Sequence, residues 1–362
     1  MRARVTLRQQ GCARPLGELM RDLSTAKWSH VTRGVTEPGR CRLGGLATPP
    51  GPGDLVVASV SRVGGRGRLE DAYGRRVRLH AGDLVVGACG NRYATDSYEG
   101  YHRPGPRAHL LTSGGVVGTA VSWHTGCAAP TELAILGALT GEDDRPLSLD
   151  RFARPAPPPP AGPVRALAVV GSSMNAGKTT TAAGLLTGWA RAGLVPGAAK
   201  VTGTGSGKDR WAYLDAGARH VTDFLDFGMP STFGYPVARL LATMTAMRDA
   251  LVHDGADAVV LELADGLLQE ETRTLTAALP EVCDGVVLAV GDALAARAGV
   301  DLLAALGVRV LAVSGLVTAS PLAVREAAAV TGLPVLSPAR LADGAAVELL
   351  AGPLATAAAG GR

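Results

Sequence analysis

The chain has 362 residues, 47% of them hydrophobic, which is ample for two packed domains and too many for one small core. Its formal charge of +4 comes with arginines dispersed rather than gathered into a stripe, so no nucleic-acid partner is demanded, and no apolar run reaches the roughly 20 residues that span a bilayer. The five cysteines are scattered and odd in number, and no apolar stretch follows Arg2, Arg4 and Arg8, so reduced thiols, no secretory leader and a cytoplasmic location are expected.

Residues 1–53 form a segment of mixed character, with a possible short helix at 16–23 and a stretch rich in turn formers at 34–52. From residue 54 the pattern changes to short β-like runs at 55–60, 76–79, 83–87, 109–111 and 116–121. That spacing predicts a small all-β, barrel-like or sandwich domain over 54–153. Within it, residues 90–103 hold Tyr93, Tyr98 and Tyr101 in a chain poor in aromatics, either a surface on which a substrate could stack or a connection packed on its own domain. Cys89, His102, His109, His124 and Cys127 show neither C-x-x-C nor paired-His spacing, so a structural metal is not expected there. Residues 154–163 are a Pro-rich linker, because consecutive prolines remove amide donors and hold an extended conformation that helices and inner strands refuse.

Over 164–362 strand and helix alternate. Apolar strands are predicted at 167–170, 197–201, 258–261, 285–290, 308–313 and 334–336, with helices at 178–192, 237–254, 293–306 and 321–330. Fully apolar strands interleaved with helices imply an α/β fold: a doubly wound, mostly parallel sheet covered on both faces. Ligands of such folds sit beyond the C-terminal ends of the strands.

The strongest chemical signal falls between the first of these strands and the first helix, in the stretch Val170-Gly-Ser-Ser-Met-Asn-Ala-Gly-Lys-Thr-Thr180. Here Gly171, Ser173, Asn175, Ala176, Gly177, Lys178, Thr179 and Thr180 have the character of a P-loop. Its amides and the helix N-terminus would cradle phosphates, Lys178 would reach the β- and γ-phosphates, and the Thr179 hydroxyl would ligate Mg2+. The first glycine stands at 171 rather than at the usual 172. A second signal is Val259-Val-Leu-Glu-Leu-Ala-Asp-Gly266, an apolar strand ending in Glu262, where P-loop proteins place a magnesium or water ligand. Asp265 is either part of the chemistry or the cap of a following helix.

With these motifs the chain, from residue 164 onward, resembles the dethiobiotin synthetase-like branch of P-loop proteins, whose loop reads G-T-D-T-x-x-G-K-T. Lys200-Val-Thr-Gly-Thr-Gly205 is similar to that family's K-P-V-x-[ST]-G segment without the proline, which implies that Lys200 acts on the transferred phosphate beside Thr202 and Thr204. The family's magnesium-binding aspartate falls near Asp209 and Asp215, and Asp215 is the closer match. Pro230, Ser231 and Thr232 resemble a substrate-proximal E-P-x-S segment, and 259–266 resembles V-x-V-E-G-A-G-G with Glu262 in the acidic position and Asp265 added. The resemblance implies ATP, Mg2+ (held by Thr179, Asp215 and Glu262), a small-molecule substrate touched by Thr202, Thr204, Ser231 and Asp265, and a possible homodimer. The implied reaction is phosphoryl transfer by a kinase or by a ligase working through a phosphorylated intermediate, with Lys178 and Lys200 catalytic. The alternative is a nucleotide-hydrolysing switch acting on a protein partner. No Thr/Asn-Lys-x-Asp guanine-reading motif stands at the later strand ends, which favours ATP over GTP.

Overall fold

The computed structural model of the chain describes residues 23–351, apart from 47, 66 and 104. The helix expected at 16–23 lies outside the described residues except for Leu23. Among the described residues no helix is long and apolar enough to cross a membrane.

The N-terminal half holds strands β1 (Lys27–Trp28), β2 (Arg42–Gly44), β3 (Leu55–Arg62), β4 (Arg68–Glu70), β5 (Arg76–Arg78), β6 (Leu84–Cys89), β7 (Tyr98–Tyr101), β8 (Arg107–Leu110), β9 (Val116–Trp123) and β10 (Thr131–Thr140). Pairing runs β6 to β3 to β10 to β8 to β9, and β9 returns to β6 through a short parallel contact, so these strands close a ring. Val56, Ala58 and Val60 of β3 turn one way into a core with Val85, Leu110, Val117 and Leu133, while Leu55 and Val57 point the other way into the larger core. Two strands precede residue 53: β1 adds to β6, and β2, within the turn-rich stretch, pairs antiparallel with the end of β10. β10 itself escapes sequence reading because its alternation breaks at a register shift between Ile135 and Gly137.

Residues 154–163 contain neither helix nor strand. They are nonetheless fastened: the Arg154 guanidinium donates to both carboxylate oxygens of Asp254 at 2.7 and 2.8 Å, and its amide donates to the Asp226 carbonyl at 2.7 Å.

Beyond this segment come β11 (Ala166–Gly171), α1 (Lys178–Arg191), β12 (Pro196–Lys200), α2 (Lys208–Asp215), β13 (His220–Asp223), α3 (Val237–His253), β14 (Ala258–Glu262), α4 (Glu270–Ala277), β15 (Gly285–Ala289), α5 (Ala293–Ala305), β16 (Val310–Ser314) and α6 (Pro321–Thr331). The six strands form one parallel sheet in the order β13-β12-β14-β11-β15-β16. Alternate residues explain why both faces are apolar. Leu167 and Val169 pack with Leu185, Leu186 and Trp189 of α1, whereas Ala168 and Val170 share a core with Met244, Met247 and Leu251 of α3. The strand expected at 334–336 is reduced to an isolated bridge between Val313 and Val335, since Pro334 has no amide to donate and only its carbonyl and the Leu336 amide bond to Val313.

The β-rich half and the parallel-sheet half are joined by more than the linker. Arg33 donates to Asp223 and Asp226, each at 2.7 Å, Thr112 Oγ1 donates to the Gly205 carbonyl at 3.0 Å, and Arg239 donates to Asp150 at 2.6 Å.

Candidate functional site

Because β14 lies between β11 and β12, the segments following these three strands converge at one edge of the sheet. The loop after β11 runs through Asn175, which takes a positive φ of 61°, and Gly177, at 98°. Glycine at 177 is forced twice over: a Cβ there would also stand 2.9 Å from Gly315 Cα. The first bond of α1 is donated by Thr181 to the Gly177 carbonyl, so the amides of Lys178, Thr179 and Thr180 have no intrahelical acceptor and are available to an anion. Lys178 curls back over this loop and donates to the carbonyls of Ser173, at 2.7 Å, and Asp265. Burial, together with the nearby charge of Lys200, lowers its pKa to about 8.

Strand register builds the carboxylate side of the site. Lys200 and Glu262 are directly opposed at the ends of β12 and β14, and their side chains form an ion pair with Glu262 only 1% exposed. The same ammonium meets Asp209 at 2.8 Å. Thr179 Oγ1 lies 3.2 Å from Asp209 and 3.1 Å from Glu262, and the buried Tyr213 hydroxyl donates to Glu262. Burial opposes charge on Lys200, yet its two carboxylate partners hold its pKa above the ordinary lysine value; conversely Lys200 holds Asp209 below the ordinary carboxylate value against the effect of burial. Asp265, at a positive φ of 64°, is buried and pushed up to about 6 by desolvation.

Between the halves lies a cavity of about 510 Å³. The parallel-sheet half lines it with Asn175, Gly177, Lys178, Thr179, Thr180, Lys200, Thr204, Asp209, Glu262 and Asp265, and the β-rich half with Arg92, Tyr93, Asp96, Ser97, Thr112 and Ser113. The two halves touch at the tip of the loop, where Asn175 Nδ2 donates to Asp96 Oδ2 at 2.7 Å. The tyrosine segment is in part such a contact, as Tyr93 and Tyr101 pack on Phe233 with ring centroids 5.5 and 5.6 Å apart.

A hydroxyl, two carboxylates and a free helix N-terminus are an all-oxygen donor set beside an anion cradle, which fits Mg2+ shared with a phosphate. The loop, the lysine and the open helix N-terminus thus have the arrangement of a P-loop.

Some expected site residues stand elsewhere. Asp215 is exposed at the end of α2 and does not line the cavity; Asp209, at the helix start, is the carboxylate near Thr179. Local spacing does not separate the two aspartates, because Trp211 and Asp215 share the i,i+4 relation of Asp209 and Tyr213; what separates them is the contact of Asp209 with Thr179 and Lys200. Thr202 is buried and exchanges hydrogen bonds with the Ala264 backbone, and Ser231 is fully buried, its backbone bridged to Thr204. Neither lines the cavity, so neither is placed to touch a substrate. Gly171, Ser173 and Ala176 build the loop without lining the cavity: Ser173 gives its carbonyl to Lys178, and Ala176 gives its own to the Leu316 amide at 3.1 Å.

No family model matches the chain, and no curated protein matches it. Solved structures similar to part of it include the signal recognition particle 54 kDa protein from Aeropyrum pernix K1 in complex with GDP, 21% identical over 56% of this chain and 53% of that one, with a TM-score of 0.37. The signal recognition particle receptor FtsY from Elizabethkingia anophelis in complex with GDP is 16% identical over 52% of this chain and 65% of that one, TM-score 0.36. The cell division protein FtsY from Thermotoga maritima is 19% identical over 53% and 69%, TM-score 0.35. This chain thus spans about half the length of the first of these. The dethiobiotin synthetase-like resemblance is corrected by these comparisons, in which the similar structures are signal recognition particle proteins and FtsY. With it go the expectations it carried, phosphoryl transfer to a small molecule and a small-molecule partner. ATP is likewise not singled out, since the complexes named above hold GDP. Within the site, Thr202 and Ser231 are buried away from the cavity, and Lys200 pairs with Asp209 and Glu262.

Proposed function

We propose that the chain is a magnesium-dependent nucleoside triphosphatase working as a switch, in which the β-rich half reports to a protein partner whether a triphosphate or a diphosphate is bound. The observation that carries this reading is the hydrogen bond from Asn175, at the tip of the phosphate loop, to Asp96 of the other half. A loop that must close on a γ-phosphate cannot move without altering that contact.

In the proposed reaction the amides of Lys178, Thr179 and Thr180 and the Lys178 ammonium hold the phosphates. Water adds to the γ-phosphorus, the bond from that phosphorus to the bridging oxygen breaks with its electron pair going to the diphosphate, and the proton of water leaves to solvent with inorganic phosphate as product. Thr179, Asp209 and Glu262 would hold magnesium, which when bound supplies positive charge to the β- and γ-oxygens. Asp265 lines the cavity with no ion pair among the described residues, so it is the carboxylate free to orient the water.

Phosphate release from ATP and from GTP, each with Mg2+, tests the reading together with hydrogen exchange over residues 92–97. Wild type should release phosphate from at least one nucleotide and exchange differently there with a non-hydrolysable triphosphate than with the diphosphate, and Lys178→Ala should lose both properties. Equal exchange in the two nucleotide states would overturn the switch, and release unchanged by Lys178→Ala would overturn the site.

A further inference from the structure

The segment between β12 and α2 is gripped by the β-rich half. Thr112 Oγ1 donates to the Gly205 carbonyl at 3.0 Å, while on the other side, within the parallel-sheet half, the Gly205 amide donates to the Pro230 carbonyl at 2.8 Å. Glu70, at the end of β4 and 2% exposed, accepts from the Gly207 amide at 3.1 Å and from Ser206 Oγ at 3.3 Å. Two glycines here have no room for a side chain. A Cβ on Gly114 would stand 2.2 Å from the Gly205 carbonyl oxygen, and one on Gly207 would stand 2.6 Å from Glu70 Oε1 and 2.7 Å from Trp211 Nε1.

Gly207 is the N-cap of α2 and has no side chain with which to cap it. A carboxylate brought from 137 residues away therefore fixes the start of this helix, where negative charge also suits the helix dipole. Two residues on is Asp209 and one turn further is Tyr213; the first touches Thr179 and Lys200, the second Glu262. With only eight residues, α2 has little stability of its own, so the place of its first turn is set by what grips it.

We infer that Glu70 is a positioning residue through which the β-rich half sets where Asp209 stands against Thr179, and so tunes the affinity of the site for Mg2+ without touching the nucleotide. The inference rests on the magnesium-nucleotide reading above and adds the element that links the two halves to it.

The test uses the full chain and a fluorescent, non-hydrolysable triphosphate, so its outcome does not depend on hydrolysis. Nucleotide affinity is measured in EDTA and then as a function of Mg2+ for wild type, Glu70→Gln and Glu70→Ala. Glu70→Ala should need about 10- to 100-fold more Mg2+ for half-maximal enhancement, the range seen when groups supporting metal ligands are lost, while affinity in EDTA changes less than about twofold. Glu70→Gln keeps an oxygen for the Gly207 amide and should fall between the two. A Mg2+ titration unmoved in Glu70→Ala, or an equal loss in EDTA, would overturn the inference. If Glu70→Ala does not fold, Glu70→Gln decides alone: a shift of threefold or more confined to the Mg2+ titration supports the inference, and anything less overturns it. Should wild type bind the triphosphate with no response to Mg2+ at all, the nucleotide reading fails at its metal side, and the failure is distinguishable from that of Glu70 alone.

Discussion

Replacing Lys200 by methionine separates a cation that organises the site from one that acts on phosphate. In the native chain its ammonium lies between Glu262, whose side chain is 1% exposed, and Asp209, whose side chain is 27% exposed. Removing one partner of a buried pair leaves charge that cannot be solvated, at a cost of about 3–5 kcal/mol. Asp209 can recover some hydration, and Glu262 keeps bonds from Tyr213 and Thr179, so the lower end of that range applies. With a urea slope of about 2–3 kcal/mol per molar, the midpoint of unfolding should fall by about 1 M or more. Far-ultraviolet circular dichroism follows the unfolding, since the long helices α1, α3 and α5 all belong to the parallel-sheet half. Adding Glu262→Gln should restore much of the loss, because the stranded charge is then gone. A loss below about 1 kcal/mol, or a double variant that loses as much as the two single ones summed, would refute this reasoning; intact stability with abolished phosphate release would instead assign Lys200 directly to the reaction.

Asp265→Asn should stabilise the protein above pH 6 and not below pH 4. The folded pKa of about 6 is raised above the unfolded value, so the native state binds the extra proton and stability falls as pH rises from about 4 to 6; the penalty removed is up to about 3 kcal/mol, readable as a pH-dependent difference in melting temperature. Asparagine tolerates the left-handed backbone that this position adopts. Lys178, with its pKa lowered to about 8, must be charged to hold phosphate, so binding should take up a proton and weaken up to about tenfold per pH unit above 8; calorimetry in buffers of different ionisation enthalpy measures that uptake, and none at pH 8.5 would contradict it. Gly177→Ala should abolish nucleotide binding, since both its backbone angle and the 2.9 Å approach to Gly315 reject a methyl group, and binding within threefold of wild type would show that the loop relaxes freely.

The parallel-sheet half is legible in the sequence because its strands are short apolar runs whose alternate residues face two covered sides, as in Leu167 to Val170. What escaped reading depends on partners distant in sequence. Lys200 and Glu262 are each visible as polar residues at strand ends, but their pairing follows from β12 lying beside β14, which neither segment announces. The choice between Asp209 and Asp215 rests on a loose motif in the sequence, and only the contacts of Asp209 with Thr179 and Lys200, across the sheet edge, decide it. Asp96 and Glu70 carry no local signal, as their roles arise only where the halves meet. In the β-rich half the turn formers at 34–52 give no strand signal of their own, and β2 forms there by pairing with β10, about a hundred residues away.

The Pro-rich segment has a consequence for how the molecule can be taken apart. It is tied to α3 through Arg154 and Asp254, and the halves hold each other through Arg33, Thr112, Asn175 and Arg239 independently of it. Severing the backbone between residues 155 and 163 thus converts an internal contact surface into the meeting face of two separate polypeptides. Their reunion would then depend on concentration, with the peptide link having served as a source of effective molarity rather than as a support.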